Sequence, residues 1–234
     1  DLMSSVIITG ASAGIGAAAA ASFVARGDAV FNLSRRPCPV DGVVSIACDL
    51  ADGDSRAAAV AALRDAVDWQ APVALVHNAS RMDKDGTDSC DDAALRQVLE
   101  INVVAINHLN RMLIPAMART SCILYVGSTL AEKAVAGAFS YVTSKHAQLG
   151  VMRATCQDLQ GAGIHCAMVC PGFTDTEMLR THLGNDQGTL DAVGAMNAFG
   201  RLVAPQEIAD LIVWCVDHPV INGAVLHANL GQKE

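Results

Sequence analysis

The sequence predicts an α/β fold: one parallel sheet, doubly wound, with helices on both faces. Three observations carry this. Seven short apolar runs alternate with longer helical segments along the 234 residues. Most of these runs are apolar almost throughout, as strands buried on both faces are. The first of them, Val6-Ile7-Ile8, passes through a glycine-rich turn, Thr9-Gly10-Ala11-Ser12-Ala13-Gly14-Ile15-Gly16, into an alanine-rich segment. Strand, glycine turn and helix in that order open a doubly wound sheet, and right-handed crossovers continue it.

The elements follow in order. The expected strands are Ser4–Thr9, Ala29–Leu33, Val43–Cys48, Val73–His77, Cys122–Gly127, His165–Val169 and Ala224–Ala228. Each is short and rich in Val, Ile, Leu, Ala or Cys, and most are bounded by Gly, Pro, Asp or Asn. The expected helices are Ile15–Arg26, Asp54–Val67, Asp91–Arg119, Phe139–Gln160 and Pro205–Val216. The stretch from Phe173 to Gly200 has neither pattern. It is rich in Gly, Asp, Asn and Thr with scattered Met, Leu and Phe, and a long irregular segment of this kind reads as a lid or binding loop. No repeat or interdomain linker is visible, so residues 1–234 read as one domain with a lid at 173–200.

Composition narrows the function. The chain is 52% hydrophobic and 17% charged, the balance of a packed globule. Its formal net charge of −8 argues against a nucleic-acid surface. The uncharged stretch from Met3 to Ala25 is broken by Gly10, Gly14 and Gly16, which argues against a membrane or signal segment. The eight cysteines are scattered without a C-x-x-C and the seven histidines form no ligand spacing, so reduced thiols in a cytoplasmic protein without a metal are expected.

The glycine turn aims free backbone N–H groups and a helix dipole at one point, which suits a phosphate. Gly10 permits the tight turn, Gly14 a close backbone approach and Gly16 close packing of helix on strand. Two distant features join it. Ser128 follows the apolar run Ile123 to Val126, and Tyr141-Val142-Thr143-Ser144-Lys145 lies on an expected helix, with Tyr141 and Lys145 sharing one face. A phenol ordinarily titrates near 10, and an adjacent ammonium stabilises its anion.

In this order and spacing the chain resembles the short-chain dehydrogenase/reductase family, which carries T-G-x-x-x-G-[IL]-G, then N-N-A-G, a serine, and Y-x-x-x-K. The resemblance implies a Rossmann-type doubly wound parallel sheet of order 3-2-1-4-5-6-7. It implies Tyr141 as acid and base, Lys145 as modulator and ribose anchor, Ser128 as the group orienting substrate, and Asn102 as support of a water-linked proton relay. It implies cofactor contacts from Gly10, Ser12, Ala13, Gly14, Ile15 and Gly16, from Asp49 and Leu50 to the adenine, and from Asn78 and Ala79. Pro171, Gly172, Thr174 and Thr176 are implied on the nicotinamide side, and the expected assembly is a homodimer or homotetramer.

Departures are informative. His77-Asn78-Ala79-Ser80 matches N-N-A-G only at Asn78 and Ala79, leaving His77 to tie neighbouring strands. The second strand ends in Ser34, Arg35 and Arg36 where an acidic residue would bind a ribose hydroxyl, and guanidinium groups pair with phosphate. NADP(H) is therefore expected over NAD(H). The substrate that the resemblance implies is a small-molecule carbonyl or alcohol. The lid's Phe173, Met178, Leu179, Met196 and Phe199 suit a small ketone, diketone or aromatic carbonyl. A 3-oxoacyl-thioester reductase and a non-catalytic dinucleotide sensor are the alternatives.

Overall fold

A computed structural model describes residues 4–232; Asp1, Leu2, Met3, Lys233 and Glu234, the ends of the expected domain, lie outside it. Seven strands form one parallel sheet: β1 (Ser5–Thr9), β2 (Ala29–Ser34), β3 (Val44–Ala47), β4 (Val73–His77), β5 (Cys122–Val126), β6 (His165–Pro171) and β7 (Val225–Ala228). Their order across the sheet is β3-β2-β1-β4-β5-β6-β7, as the resemblance implied. The order reverses beside β1, between β1 and β4, and this opens a crevice at the carboxyl ends of the strands.

Alternation along each strand separates two cores. Val6 and Ile8 of β1, with Leu124 of β5 and Val169 of β6, face α1 (Gly14–Arg26) and α8 (Pro205–Asp217). Ile7, Tyr125 and Met168 face the opposite way, toward α2 (Gly53–Ala66) and the helices between β4 and β6. Burial on both faces is why the central strands are apolar at most positions.

Two expectations need correction. Asp91–Arg119 is not one helix. It is α3 (Asp92–Leu99), a π-helical turn (Glu100–Val104), α4 (Ala105–Leu113) and a 3-10 turn (Ile114–Ala116). Pro115 ends the helical run because it has no N–H and its ring crowds the preceding turn. The pair Arg56 Nη1–Glu100 Oε1, at 2.7 Å, joins a buried guanidinium to a partly exposed carboxylate at the start of the π turn. The 173–200 segment is not structureless either. It holds α6 (Glu177–His182), capped by the Thr176 hydroxyl, and α7 (Gln187–Gly194), capped by the Asp186 carboxylate. Its two ends are pinned where Val203 N donates to Phe173 O and Asp175 N to Val203 O. α5 (Phe139–Asp158) lies between β5 and β6 and carries the Tyr-x-x-x-Lys spacing.

Candidate active site

The glycine turn is built by hydrogen bonds from three strands. Gly10 N donates to Leu33 O of β2, and Ala11 N to the Asn32 side-chain oxygen at 2.9 Å. From β4, Asn78 Nδ2 donates to Thr9 O at 3.0 Å and Gly10 O at 3.1 Å. The Thr9 hydroxyl accepts from the Asn78 and Ala79 N–H groups. Gly10 and Gly14 have φ of +76° and +55°, the left-handed region that favours glycine. A Cβ on Gly16 would collide with Gly10 O and come within 2.5 Å of Asn78 Nδ2. Ala13 caps α1 without a side-chain acceptor. The first-turn N–H groups beside Ser12, Ala13, Gly14 and Ile15 thus face outward, and this cradle fits a dinucleotide pyrophosphate.

Within β2, Asn32 is fully buried and its amide nitrogen reaches Ser34 Oγ at 2.9 Å and Arg36 O at 3.3 Å. One side chain therefore joins the glycine turn to the Ser34-Arg35-Arg36 loop. Both arginines are exposed. Arg36 meets Glu177 of α6 at 3.4 Å, whereas among the described residues no carboxylate pairs with Arg35. Asp49 Oδ1 accepts from Ala51 N and Leu50 is buried beside it, so the Asp49 carboxylate shapes its own turn.

Ser128, Tyr141, Lys145 and Asn102 come together behind the carboxyl end of β5. The Ser128 oxygen accepts from Leu130 N at 3.1 Å, which leaves its proton free to donate. Lys145 Nζ is buried 5.3 Å from the Tyr141 ring centre and donates to Val126 O at 3.1 Å. Burial pushes the Tyr141 phenol up to about 12, outweighing the Ser128 and Ser80 hydroxyls that bear on it. Burial also carries the Lys145 ammonium down, to about 7.

Asn102 stands in the π turn, which aims it sideways from the helix. Its amide brackets Arg81, accepting from Arg81 N at 2.8 Å and donating to Arg81 O at 2.9 Å and Ser144 Oγ at 2.8 Å. Its backbone oxygen accepts from Gln148 Nε2 at 2.7 Å. A side chain therefore meets the Asn102 carbonyl.

Pro171 closes β6, and Gly172 packs so tightly on Asn229 that a Cβ would lie 2.8 Å away. The Thr174 hydroxyl donates to Gly172 O and the side chain is buried. Thr176 lies against Gly14, 3.2 Å from where its Cβ would be. Asn78, not His77, ties β1 to β4; His77 instead reaches Asn110 of α4 at 2.8 Å.

Sequence reasoning missed Asn32, Gln148 and Ser80 as site residues. Asn32 had a signal, a polar residue inside an apolar strand. Gln148 had one too, three positions after Lys145 and so on its face. Ser80 had been noted only as a departure; its buried oxygen lacks a well-formed partner.

The model of the short chain dehydrogenase family matches residues 4–186. The chain is 31% identical over 241 residues to 2-(R)-hydroxypropyl-CoM dehydrogenase of Xanthobacter autotrophicus, covering 94% of each chain. It is 28% identical over 239 residues to 3-oxoacyl-(acyl-carrier-protein) reductase of Salmonella typhimurium, covering 96% of this chain and 95% of that one. Among solved structures it resembles a short chain dehydrogenase from Burkholderia cenocepacia in complex with NADP, with TM-score 0.86, 27% identity and coverage of 97% and 96%.

Proposed function

The chain belongs to the short-chain dehydrogenase family, and we propose that it is an NADP(H)-dependent oxidoreductase that reduces a carbonyl to an alcohol, reversibly. The observation that carries this reading is the meeting of Ser128, Tyr141 and Lys145 at the same sheet edge as the glycine turn. The nicotinamide cofactor supplies or accepts the hydride when bound. Ser128 donates to the substrate oxygen and holds it at the phenol. Tyr141, kept protonated near neutral pH by its burial, delivers the proton to that oxygen. Lys145 places a positive charge beside the phenolate that results.

Arg35, exposed and without a carboxylate partner among the described residues, is the proposed reader of the 2′-phosphate, with Ser34 and Arg36 beside it. The similar protein bound to NADP supports that preference. The proposed substrate is a small ketone, diketone or aromatic carbonyl, and residues 173–200 are the proposed lid. Met178, Met196 and Phe199 expose apolar surface there. The cations in and beside the lid are engaged: Arg180 binds Asp175 through two hydrogen bonds, 2.6 and 2.9 Å, and Arg201 binds Glu207 at 2.7 and 2.8 Å. Neither is left for a phosphorylated acyl carrier.

Among the described residues no helix is long and apolar enough to cross a membrane. The proposed setting is the cytoplasm, consistent with free cysteines at all eight positions, and the proposed assembly is a homodimer or homotetramer, which light scattering would report.

The experiment is NADPH oxidation against ketones, diketones and 3-oxoacyl thioesters, with NADH in parallel and Tyr141→Phe as control. Turnover that disappears in Tyr141→Phe while NADPH binding survives supports the mechanism; full activity in that variant overturns it. Higher kcat/KM for a thioester than for every ketone tested overturns the substrate assignment. Binding without turnover of any substrate would favour a sensor.

A further inference from the structure

The inner side of Lys145 is closed by a second side chain. Gln148 lies one helical turn on, 2% exposed, and its amide makes one hydrogen bond at each end. Nε2 donates to Asn102 O at 2.7 Å, and Oε1 accepts from Lys145 Nζ at 3.1 Å. The Asn102 carbonyl accepts this bond within the π turn, so the interruption of the helix, the amide and the lysine form one connected unit.

We propose that Gln148 is a positioning residue of the reaction centre, one that fastens the Lys145 ammonium to the Asn102 carbonyl and holds that lysine in its charged form; this rests on the reading of Tyr141 and Lys145 as the acid–base pair. An ammonium has three donors. Val126 O and Gln148 Oε1 take two, which orients the group and leaves the third. Both acceptors are neutral, so they offset only part of the cost of burying the charge.

The ionisable neighbours of Lys145 are few. Tyr141 is on the same helix, and Cys170 of β6, pushed up to about 11 chiefly by burial, is neutral. Glu132, beyond the 3-10 turn after Ser128, is engaged by His227 at 2.7 Å and Arg153 at 3.5 Å. Glu100 in the π turn is held by Arg56. No carboxylate competes with Gln148 for the ammonium among these groups.

The test titrates Lys145 directly, by nuclear magnetic resonance of protein labelled isotopically at lysine Cε. The chain has four lysines, Lys84, Lys133, Lys145 and Lys233, and Lys145 is the buried one among those described. Lys145→Met assigns its resonance. Gln148→Leu removes the acceptor and should lower the midpoint by about one unit, tenfold in acidity; Gln148→Glu should raise it by at least as much. Gln148→Met keeps the side-chain length and replaces the leucine variant if that does not fold. An unchanged midpoint in both variants, or movement in the same direction in both, overturns the proposal, because repacking alone does not discriminate an amide from a carboxylate. No turnover is needed, so a protein that reduces none of the carbonyl panel still answers the question.

Discussion

His77 makes the protein sensitive to acid by an amount that follows from its surroundings. The residue ends β4 and is 3% exposed, its ring 5.2 Å from that of Tyr125. Nε2 meets the Asn110 side-chain oxygen at 2.8 Å, an acceptor, so Nε2 carries the proton and Nδ1 does not. Nδ1 is buried with no partner. A second proton would have to enter there, where no protein acceptor meets it. Burial accordingly lowers the imidazole from 6.5 to about 4. The folded value lies below the unfolded one, so the unfolded chain binds the extra proton first. Stability is fully present above the unfolded value, falls as pH drops through the window between the two, and levels off below about 4. Between about pH 7 and pH 5 this residue alone costs the native state about 2 kcal/mol, rising to roughly 3 kcal/mol below pH 4. Urea unfolding followed by fluorescence, at a series of pH values, measures it. His77→Asn, the residue common at this position in the resembling family, is expected to be less stable at neutral pH through lost ring packing but to lack this slope. Other histidines titrate in both proteins and cancel in the difference. If the two proteins lose stability in parallel, within about 0.5 kcal/mol, His77 is not neutral and buried as described.

Two further outcomes are expected. Gly16→Ala forces a methyl group against Gly10 O and displaces the Asn78 amide with its two hydrogen bonds. Overpacking and the lost bonds together come to about 3 kcal/mol, read by urea unfolding without cofactor, and NADPH affinity should fall at least about tenfold; undiminished affinity would remove the turn from the cofactor site. Arg35→Ser should narrow the NADPH-over-NADH preference in kcat/KM by at least about tenfold, the worth of one charge-assisted contact, and an unchanged ratio would assign the 2′-phosphate elsewhere.

The short-range features were legible. The Gly10–Gly14–Gly16 spacing, the placement of Ser128 after an apolar strand and the four-residue step from Tyr141 to Lys145 are properties of neighbouring residues, and a strand or helix presents them in a fixed way. All seven expected strands differ from the observed ones by two residues or fewer at either end, because apolar runs between turns leave the chain little choice. The helix after Asp91 was misread as one because the π turn continues the run with no Gly or Pro between Asp92 and Leu113 to mark it.

Sequence by itself determined the alternation of strands and helices, the glycine turn and the four-residue step from Tyr141 to Lys145, since each depends on spacing within one element or across one turn. Tertiary structure decided what surrounds those groups. Asn32 reaches Ala11 across 21 residues, and Gln148 reaches Asn102 across 46. The Tyr141 phenol lies well above, and the Lys145 ammonium well below, its ordinary value because other segments exclude water from them. Desolvation and hydrogen-bond partnership are set by residues that meet only when the sheet is assembled, and no local pattern encodes that meeting.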